Sequence, residues 1–406
     1  MRLGGMRWVD HWIGLPLCFL FGMLALVARR IAPRKRAVSG RRPLAIFKFF
    51  GLGSILEATP LLRAIRHRYP DAPLVFVTFD SMEPLVRRLG LATRVLVLRT
   101  GSPLRFAADC LRAVLWMRRQ GVEAVVDLEF FSRFSTLLAF ASGAHIRVGY
   151  HLNDFWRRSL VTHPIYYNCF RHITEVFCEA GRQLDVTVGD QSIRRIEVPP
   201  ESARAARESL LAAGWREGSP LLGVNVNAGE LCHERRWPLE RFAAVVQRLL
   251  EGRPELFVAL TGSPSEKAYT ALLLDQLPEA LRGRVYMAAG AWDLDAFVAA
   301  LSLMDGFLTN DSGPMHLAAA QGTPVVSIWG PARPGFIAPR VEGLRALYAD
   351  YRCSPCVNMF TSTEGKWCDH EGWCMLEIQP QEALDAASAM LDESAARGGS
   401  GAKGRV

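Results

Sequence analysis

The 406-residue chain is half hydrophobic, sets 48 lysines and arginines against 40 aspartates and glutamates for a formal net charge of +8, and holds nine cysteines. That length excludes a single ordinary domain and calls for two cores of roughly 150 to 180 residues each. Much of the excess charge lies in one early stretch, Arg29, Arg30, Arg34, Lys35, Arg36, Arg41 and Arg42, and the odd number of cysteines does not make a secreted disulfide framework, so a reducing, cytosolic body with no nucleic-acid partner is expected.

From Trp12 to Ala28 the sequence carries no charge, and as a helix this stretch reaches about 25 Å, marginal for a bilayer span. A signal peptide, a spanning anchor and a helix lying in the interface are all open, with Gly14, Pro16 and Gly22 allowing a bend. The signal peptide suits least, because Arg29 and Arg30 stand where small cleavage-site residues belong. The basic cluster favours the cytosolic side and anionic lipid, so a membrane surface is an expected partner and the cytoplasmic face of the inner membrane the expected location.

Beyond this linker, LAIFKF, LVFVTF, RVLVL and AVVDL alternate with amphipathic stretches, among them a helix from about Ile55 to Arg68 and a long one from about Leu104. Continuous β-rich runs separated by helices signal parallel βαβ units. Residues from Asp154 to about Pro200 are less regular and end in the interdomain linker. A second series follows, LLGVNVN, LFVALTG, RVYMA, GFLTN and PVVSIWG, with helices after Trp237-Pro238 and from about Pro314. The α/β pattern predicts two doubly wound, Rossmann-like domains, 43–200 and 201–385. Residues 1–42 form an apolar helix and basic linker, and 386–406 are expected to be a disordered tail.

Open α/β sheets bind ligands beyond the carboxyl ends of their strands, so the residues after each run are the candidates. In GFLTNDSGPMHLAAAQGTPVVSIWGP a strand ends near Asn310, Asp311-Ser312-Gly313 turns the chain, and Pro314 suits a first helical turn, where its missing N–H costs nothing. Free amides there neutralise a phosphate, Asp311 and Ser312 offer groups to sugar hydroxyls, and His316 leaves the first turn; an ordinary capped turn is the alternative. Upstream, in NVNAGELCHERRWPLERF, Gly229 permits close backbone approach. Arg235 and Arg236 are placed to stabilise a diphosphate leaving group without a metal, unless they form only a solvated basic turn. Trp237 reads as core. In TGSPSEKA, Gly262 and Glu266 open a helix, and Glu266 either holds ribose hydroxyls or serves as a helix-start acid.

The opening segment LAIFKFFGLGSILEATPLLRAI sets Gly51-Leu52-Gly53 between a strand and a helix, but Leu56 stands where a dinucleotide fingerprint needs its third glycine. A nicotinamide enzyme is therefore disfavoured. Gly51 and Gly53 suit the approach of an acceptor, and Glu57, one turn into the helix, supplies a carboxylate toward it. Cys353, Cys356, Cys368 and Cys374, with His370, contain one CxxC pair and no second, so structural zinc stands beside plain local packing.

These segments resemble the family 9 glycosyltransferases, best known for the ADP-heptose:lipopolysaccharide heptosyltransferases, from about Leu44 to Glu382. The specific run is N-D-S-G-P-M-H-L-A-A-A-x-G-T-P with its following G-P; the R-R-W-P turn, the opening glycine loop and the T-P-L-L-R-A-I helix agree in order. The resemblance implies the GT-B architecture, with two Rossmann-like domains facing a cleft, the first for the acceptor and the second for a nucleotide sugar. It implies inverting transfer with neither metal nor cofactor. It also implies donor binding by Asp311, Ser312, Gly313 and His316, a place near the phosphates for Arg235, and one beside the adenine for Trp292.

One position departs from the pattern. Heptosyltransferases usually carry, directly after the first-loop glycine, an Asp taken to be the base that deprotonates the acceptor, and this chain has Ser54. A serine hydroxyl cannot take that proton, so Glu57, the nearest carboxylate, is the expected substitute. The expected reaction moves a sugar, heptose by resemblance, from an ADP-linked donor to a lipopolysaccharide-core or related lipid-linked glycan. A nucleotide-sugar-binding protein without turnover, which the missing Asp suits, and another GT-B-like enzyme such as a nucleotide-sugar epimerase are the alternatives.

Overall fold

In the computed structural model, which describes residues 10–31, 37–130, 132–151, 159–228, 232–356, 368 and 372–399, the β-rich runs become parallel strands. The chain divides into two compact units, Met1–Arg194 and Arg195–Val406, so the break falls slightly before the expected boundary at 200.

The first unit holds β1 (Leu44–Phe47), β2 (Leu74–Phe79), β3 (Arg94–Leu98), β4 (Ala124–Asp127), β5 (Ile146–His151) and β6 (His163–Tyr166), in the order β3-β2-β1-β4-β5-β6. Its helices are α1 (Gly14–Ile31), α2 (Leu52–Glu57), α3 (Thr59–Arg68), α4 (Glu83–Arg88), α5 (Pro103–Gln120), α6 (Arg133–Ala141) and α7 (Ile173–Arg182). A parallel sheet covered on both faces needs unbroken apolar strands, and β1, β2 and β4 are buried at every position. On one face α5 and α6 close over Phe47, Val75, Val77 and Val125 with Met117 and Leu138. The expected helix from Ile55 to Arg68 starts earlier and breaks at Ala58. Pro60 has no N–H to give the Leu56 carbonyl, and the Thr59 hydroxyl donates to it instead, at 2.6 Å.

The chain order in this sheet reverses between β1 and β4, and just past these two ends stand Lys48 and Glu129, both buried and 3.0 Å apart. The same carboxylate oxygen, Oε1, accepts from the amides of Phe49 and Phe50. One buried charge therefore sets the path of the chain into the glycine loop. Gly51 then turns at φ +81°, where a Cβ would stand 2.6 Å from the Ser54 hydroxyl.

Helix α1 lies against α6, with Cys18 and Ala25 buried among Phe21, Leu137, Phe140 and Leu160. Gly14 permits this approach, since a Cβ there would come within 2.9 Å of Arg133 Cβ. Asp10 accepts from the amides of Arg133 and Phe134 at the start of α6, where negative charge meets the positive end of the helix dipole. Among the described residues no helix is long and apolar enough to cross a membrane. The spanning anchor is not confirmed; one stripe of α1 is committed to protein, and its last turn takes in Arg29 and Arg30.

The second unit repeats the plan with β7 (Leu221–Asn225), β8 (Phe257–Leu260), β9 (Val285–Met287), β10 (Gly306–Asn310), β11 (Val325–Trp329) and β12 (Leu344–Tyr348), in the order β12-β11-β10-β7-β8-β9. Its main helices are α8 (Pro200–Ala212), α9 (Leu239–Gly252), α10 (Lys267–Gln276), α11 (Leu294–Leu301), α12 (Gly313–Gln321) and α13 (Pro380–Gly399). The tail expected to be disordered from 386 is helical as far as Gly399. Ala383, Ala387, Met390 and Leu391 recur at helical spacing, and all four are buried in the core beside α9. Gly306 leaves the room they need, because a Cβ there would stand 2.3 Å from Met390 Cε.

Two stability tests follow from these contacts. Glu129→Ala leaves the Lys48 ammonium buried without its partner and is expected to cost about 3–5 kcal/mol in chemical denaturation. Adding Lys48→Met to Glu129→Gln, which keeps an acceptor for the amides but removes both charges, is expected to restore most of that loss; an equal loss in both variants would exonerate the ion pair. Deleting residues 386–406 strips Met390 and Leu391 from the core at about 1.5–3 kcal/mol each, so the truncated chain should melt at a clearly lower temperature, and an unchanged melting curve would make α13 an accessory.

Candidate functional site

The second sheet reverses its chain order between β7 and β10, and the carboxyl ends at such a switch point are where doubly wound sheets take ligands. The turns after β10, β7, β8 and β9 carry Asp311, Arg235, Glu266 and Trp292 in that order, and these four strands are consecutive neighbours in the sheet. The fold therefore gathers onto one edge residues spread over about eighty positions of sequence.

At the switch point itself the pieces interlock. Asn310, the last residue of β10, donates to the Val226 carbonyl at 3.0 Å and accepts from the Trp237 amide at 3.0 Å, which fastens the two turns together. Trp237 is fully buried and its indole N–H donates to the Ile378 carbonyl, so it is core, as expected. Arg235 reaches Asp311 at 3.3 Å, and both are largely buried. Burial acts to lower the Arg235 pKa, but the Asp311 charge and then Cys232 push it the other way, and the net shift is upward. The guanidinium stays charged in a place that water scarcely reaches.

What this cluster lacks is as informative as what it holds. Among the described residues the buried Nε atoms of Arg235 and Arg236 and the buried Oδ1 of Asn227 have no hydrogen-bond partner. Each such orphan costs roughly 1–3 kcal/mol, a cost that an incoming ligand with matching groups offsets. The Arg236 guanidinium also lies 4.4 Å over the Tyr269 ring. Beside them α12 begins at Gly313 with Pro314 in its first turn, and Ser312, extended at the N-cap, makes no side-chain cap bond. The Ser312 hydroxyl sits 3.2 Å from that of Thr309 instead. The helix start is open to an anion, and His316 is buried one turn further along.

Other expected residues have local partners of their own. Glu266 closes a capping box, its Oε2 accepting from both the amide and the hydroxyl of Ser263 at 2.8 Å. That is the helix-start alternative, and no hydrogen bond among the described residues links it to Asp311. Trp292 is half-buried against α8, its indole N–H donating to Ser209 Oγ at 2.8 Å. Gly229 lies outside the described residues, as does His370. Cys374 is buried behind Gly330, and burial first, then the neighbouring thiols of Cys356, Cys368 and Cys353, pushes its pKa up to about 12. Among the described residues no group of three or more candidate ligands is placed to hold a metal ion.

In the first unit the Ser54 hydroxyl is spent on the carbonyls of Phe50 and Gly51, at 3.1 and 3.0 Å. Glu57 does not present a carboxylate to an acceptor. It is 1% exposed, lies where α2 packs on α7, and accepts from the Thr174 hydroxyl. The spacing of one helical turn put it on the inward side of α2. The residues that sequence reasoning missed are Lys48, Glu129, Asn227 and Asn310. Their signal was present, since all four are polar residues at or just past the ends of otherwise apolar strand runs.

Comparisons with known proteins bear on the fold and the family. A curated lipooligosaccharide heptosyltransferase 2 from Campylobacter jejuni is 25% identical over 183 residues, 44% of this chain and 53% of the relative, and the chain spans about half the length of the curated relatives it matches. A crystal structure of a family 9 glycosyl transferase from Veillonella parvula superposes with a TM-score of 0.71 at 22% identity, covering 87% of this chain and 97% of that one. E. coli ADP-heptose lps heptosyltransferase II does so with 0.66 at 18%, covering 87% and 99%. These structures share the GT-B-like α/β fold of two parallel sheets. The family model of glycosyltransferase family 9 (heptosyltransferase) matches residues 118–367, more than half of the sequence and the whole of the switch-point cluster, and the chain belongs to that family.

Proposed function

We propose that the protein transfers a sugar, heptose in the first instance, from an ADP-linked donor to a lipid-linked glycan of the lipopolysaccharide-core type, with inversion and without a metal. The carrying observation is the pair of buried guanidinium Nε atoms, on Arg235 and Arg236, that no protein group satisfies beside the open start of α12. A diphosphate brings the acceptor oxygens these groups lack. As it leaves the anomeric carbon its growing negative charge meets two fixed cations and a helix terminus, which is where preorganised electrostatics lowers a barrier most. Asp311 holds the Arg235 guanidinium in place and keeps an edge for a sugar hydroxyl. Heptose and ADP are favoured by the names of the relatives, a lipooligosaccharide heptosyltransferase and an ADP-heptose heptosyltransferase. A lipid-linked acceptor puts the reaction at the cytoplasmic face of the inner membrane.

Direct displacement needs a base for the acceptor proton. With Ser54 engaged and Glu57 sealed, the carboxylate best placed is Glu129, at the switch point of the first sheet. Its Oε1 is occupied by Lys48 and two amides, while among the described residues no hydrogen bond reaches Oε2, which is not a sealed orphan either.

Titration calorimetry with ADP tests the donor side. Arg235→Ala removes at least one charge-assisted hydrogen bond, about 1.5–3 kcal/mol, and is expected to weaken binding about 10- to 150-fold; unchanged affinity would place the nucleotide elsewhere. Steady-state transfer assays test the base. Glu129→Gln is expected to lower kcat by about 10²- to 10⁴-fold with ADP affinity intact, whereas Glu57→Gln should transfer at close to the parental rate. Nucleotide binding without transfer to any acceptor in the parent protein would favour the binding-module alternative.

A further inference from the structure

Helix α1 touches protein along one stripe. Around the rest of it Phe19, Leu20, Met23 and Leu24, and just before it Trp12 and Ile13, are 48% to 62% exposed. A continuous apolar strip of this kind on a folded body marks a surface that is covered in use. A second strip runs along α5, which packs on the sheet beside α6, the helix that also carries α1. The buried residues of α5 are Asp109, Ala113 and Met117. Its outward leucines Leu104, Leu111 and Leu115 are 84%, 59% and 41% exposed.

Charge identifies what covers these strips. Along α5, Arg105, Arg112 and Arg119 are all exposed and recur at a seven-residue spacing that keeps them on one side of the helix, next to the leucines. Arg29 and Arg30 lie in the last turn of α1, and the sequence goes on through Arg34, Lys35 and Arg36 to the exposed Arg41 and Arg42. Leucines bordered by arginines are the pattern of a helix lying in a lipid interface, and clustered cations next to apolar surface attract anionic headgroups. The same cations repel a second copy of the face. We propose that α1 and α5 together form one docking face that lies in the surface of an anionic bilayer, with α1 immersed along its outer side rather than crossing. The face extends the proposed reaction, whose lipid-linked acceptor is met at such a surface, but its readout needs no transfer.

Co-sedimentation of the full chain with vesicles of phosphatidylcholine containing phosphatidylglycerol, against phosphatidylcholine alone, tests this. The parent is expected to bind the anionic vesicles preferentially. Leu111→Ser with Leu115→Ser is expected to weaken that binding about tenfold or more, and Arg105→Glu with Arg119→Glu to abolish the preference. Each variant should keep the parental circular dichroism and ADP affinity, since the substituted residues are exposed and remote in sequence from the nucleotide cluster. Full binding by the leucine variant would overturn the two-helix face, equal binding to neutral vesicles would overturn the role of the arginines, and self-association that the same substitutions abolish, without vesicle binding, would assign the face to a second copy.

Discussion

A charged pair buried at the point where a parallel sheet reverses its winding is the constraint on which both units depend. Taking two charges out of water costs several kcal/mol per ion unless the geometry and the surrounding hydrogen bonds repay it. Lys48 and Glu129 meet that condition in the first unit, because one carboxylate oxygen gathers an ammonium and two consecutive amides. Arg235 and Asp311 meet it only in part in the second, where guanidinium nitrogens remain buried with nothing to bond. At the same topological position one carboxylate oxygen is fully engaged in the first sheet, while buried guanidinium nitrogens go unbonded in the second.

The unsatisfied groups are held there by structure that could not relax to satisfy them. Asn310 ties the β7 and β10 turns through two hydrogen bonds, and Trp237 anchors the arginine turn from the core side. Arg236 is pinned over the Tyr269 ring. Rigid donors that pay their desolvation during folding need not pay it again when a diphosphate arrives or departs, which is the physical content of preorganisation. Ser54 and Glu57 show the opposite outcome: both side chains find hydrogen-bond partners within their own unit.

Much of the fold was legible from periodicity. The runs LAIFKF, LVFVTF, RVLVL and AVVDL, and their counterparts after residue 220, are apolar on both faces and became parallel strands. IRVGYH, HPIY and LRALY mix polar with apolar residues and carry a weaker signal; β6 and β12 are edge strands, but so are β3 and β9, so edge position alone does not account for it. The final helix was misjudged because its closing residues are small and polar. The four buried positions earlier in α13 bind it to the core, and local composition does not show what a helix packs against.

By itself the sequence determined the two-unit α/β plan, the family motif around Asp311 to His316 and the turn that carries Arg235, since each depends on residue types at fixed local spacing. Only the tertiary structure decided that Asp311 pairs with Arg235 across the switch point, that Glu57 is sealed while Glu129 stands at the strand end, and that α1 lies along α6. These outcomes rest on which strands become neighbours and which side of a helix turns inward. Neighbours seventy or eighty positions apart are set by packing, which no local pattern encodes.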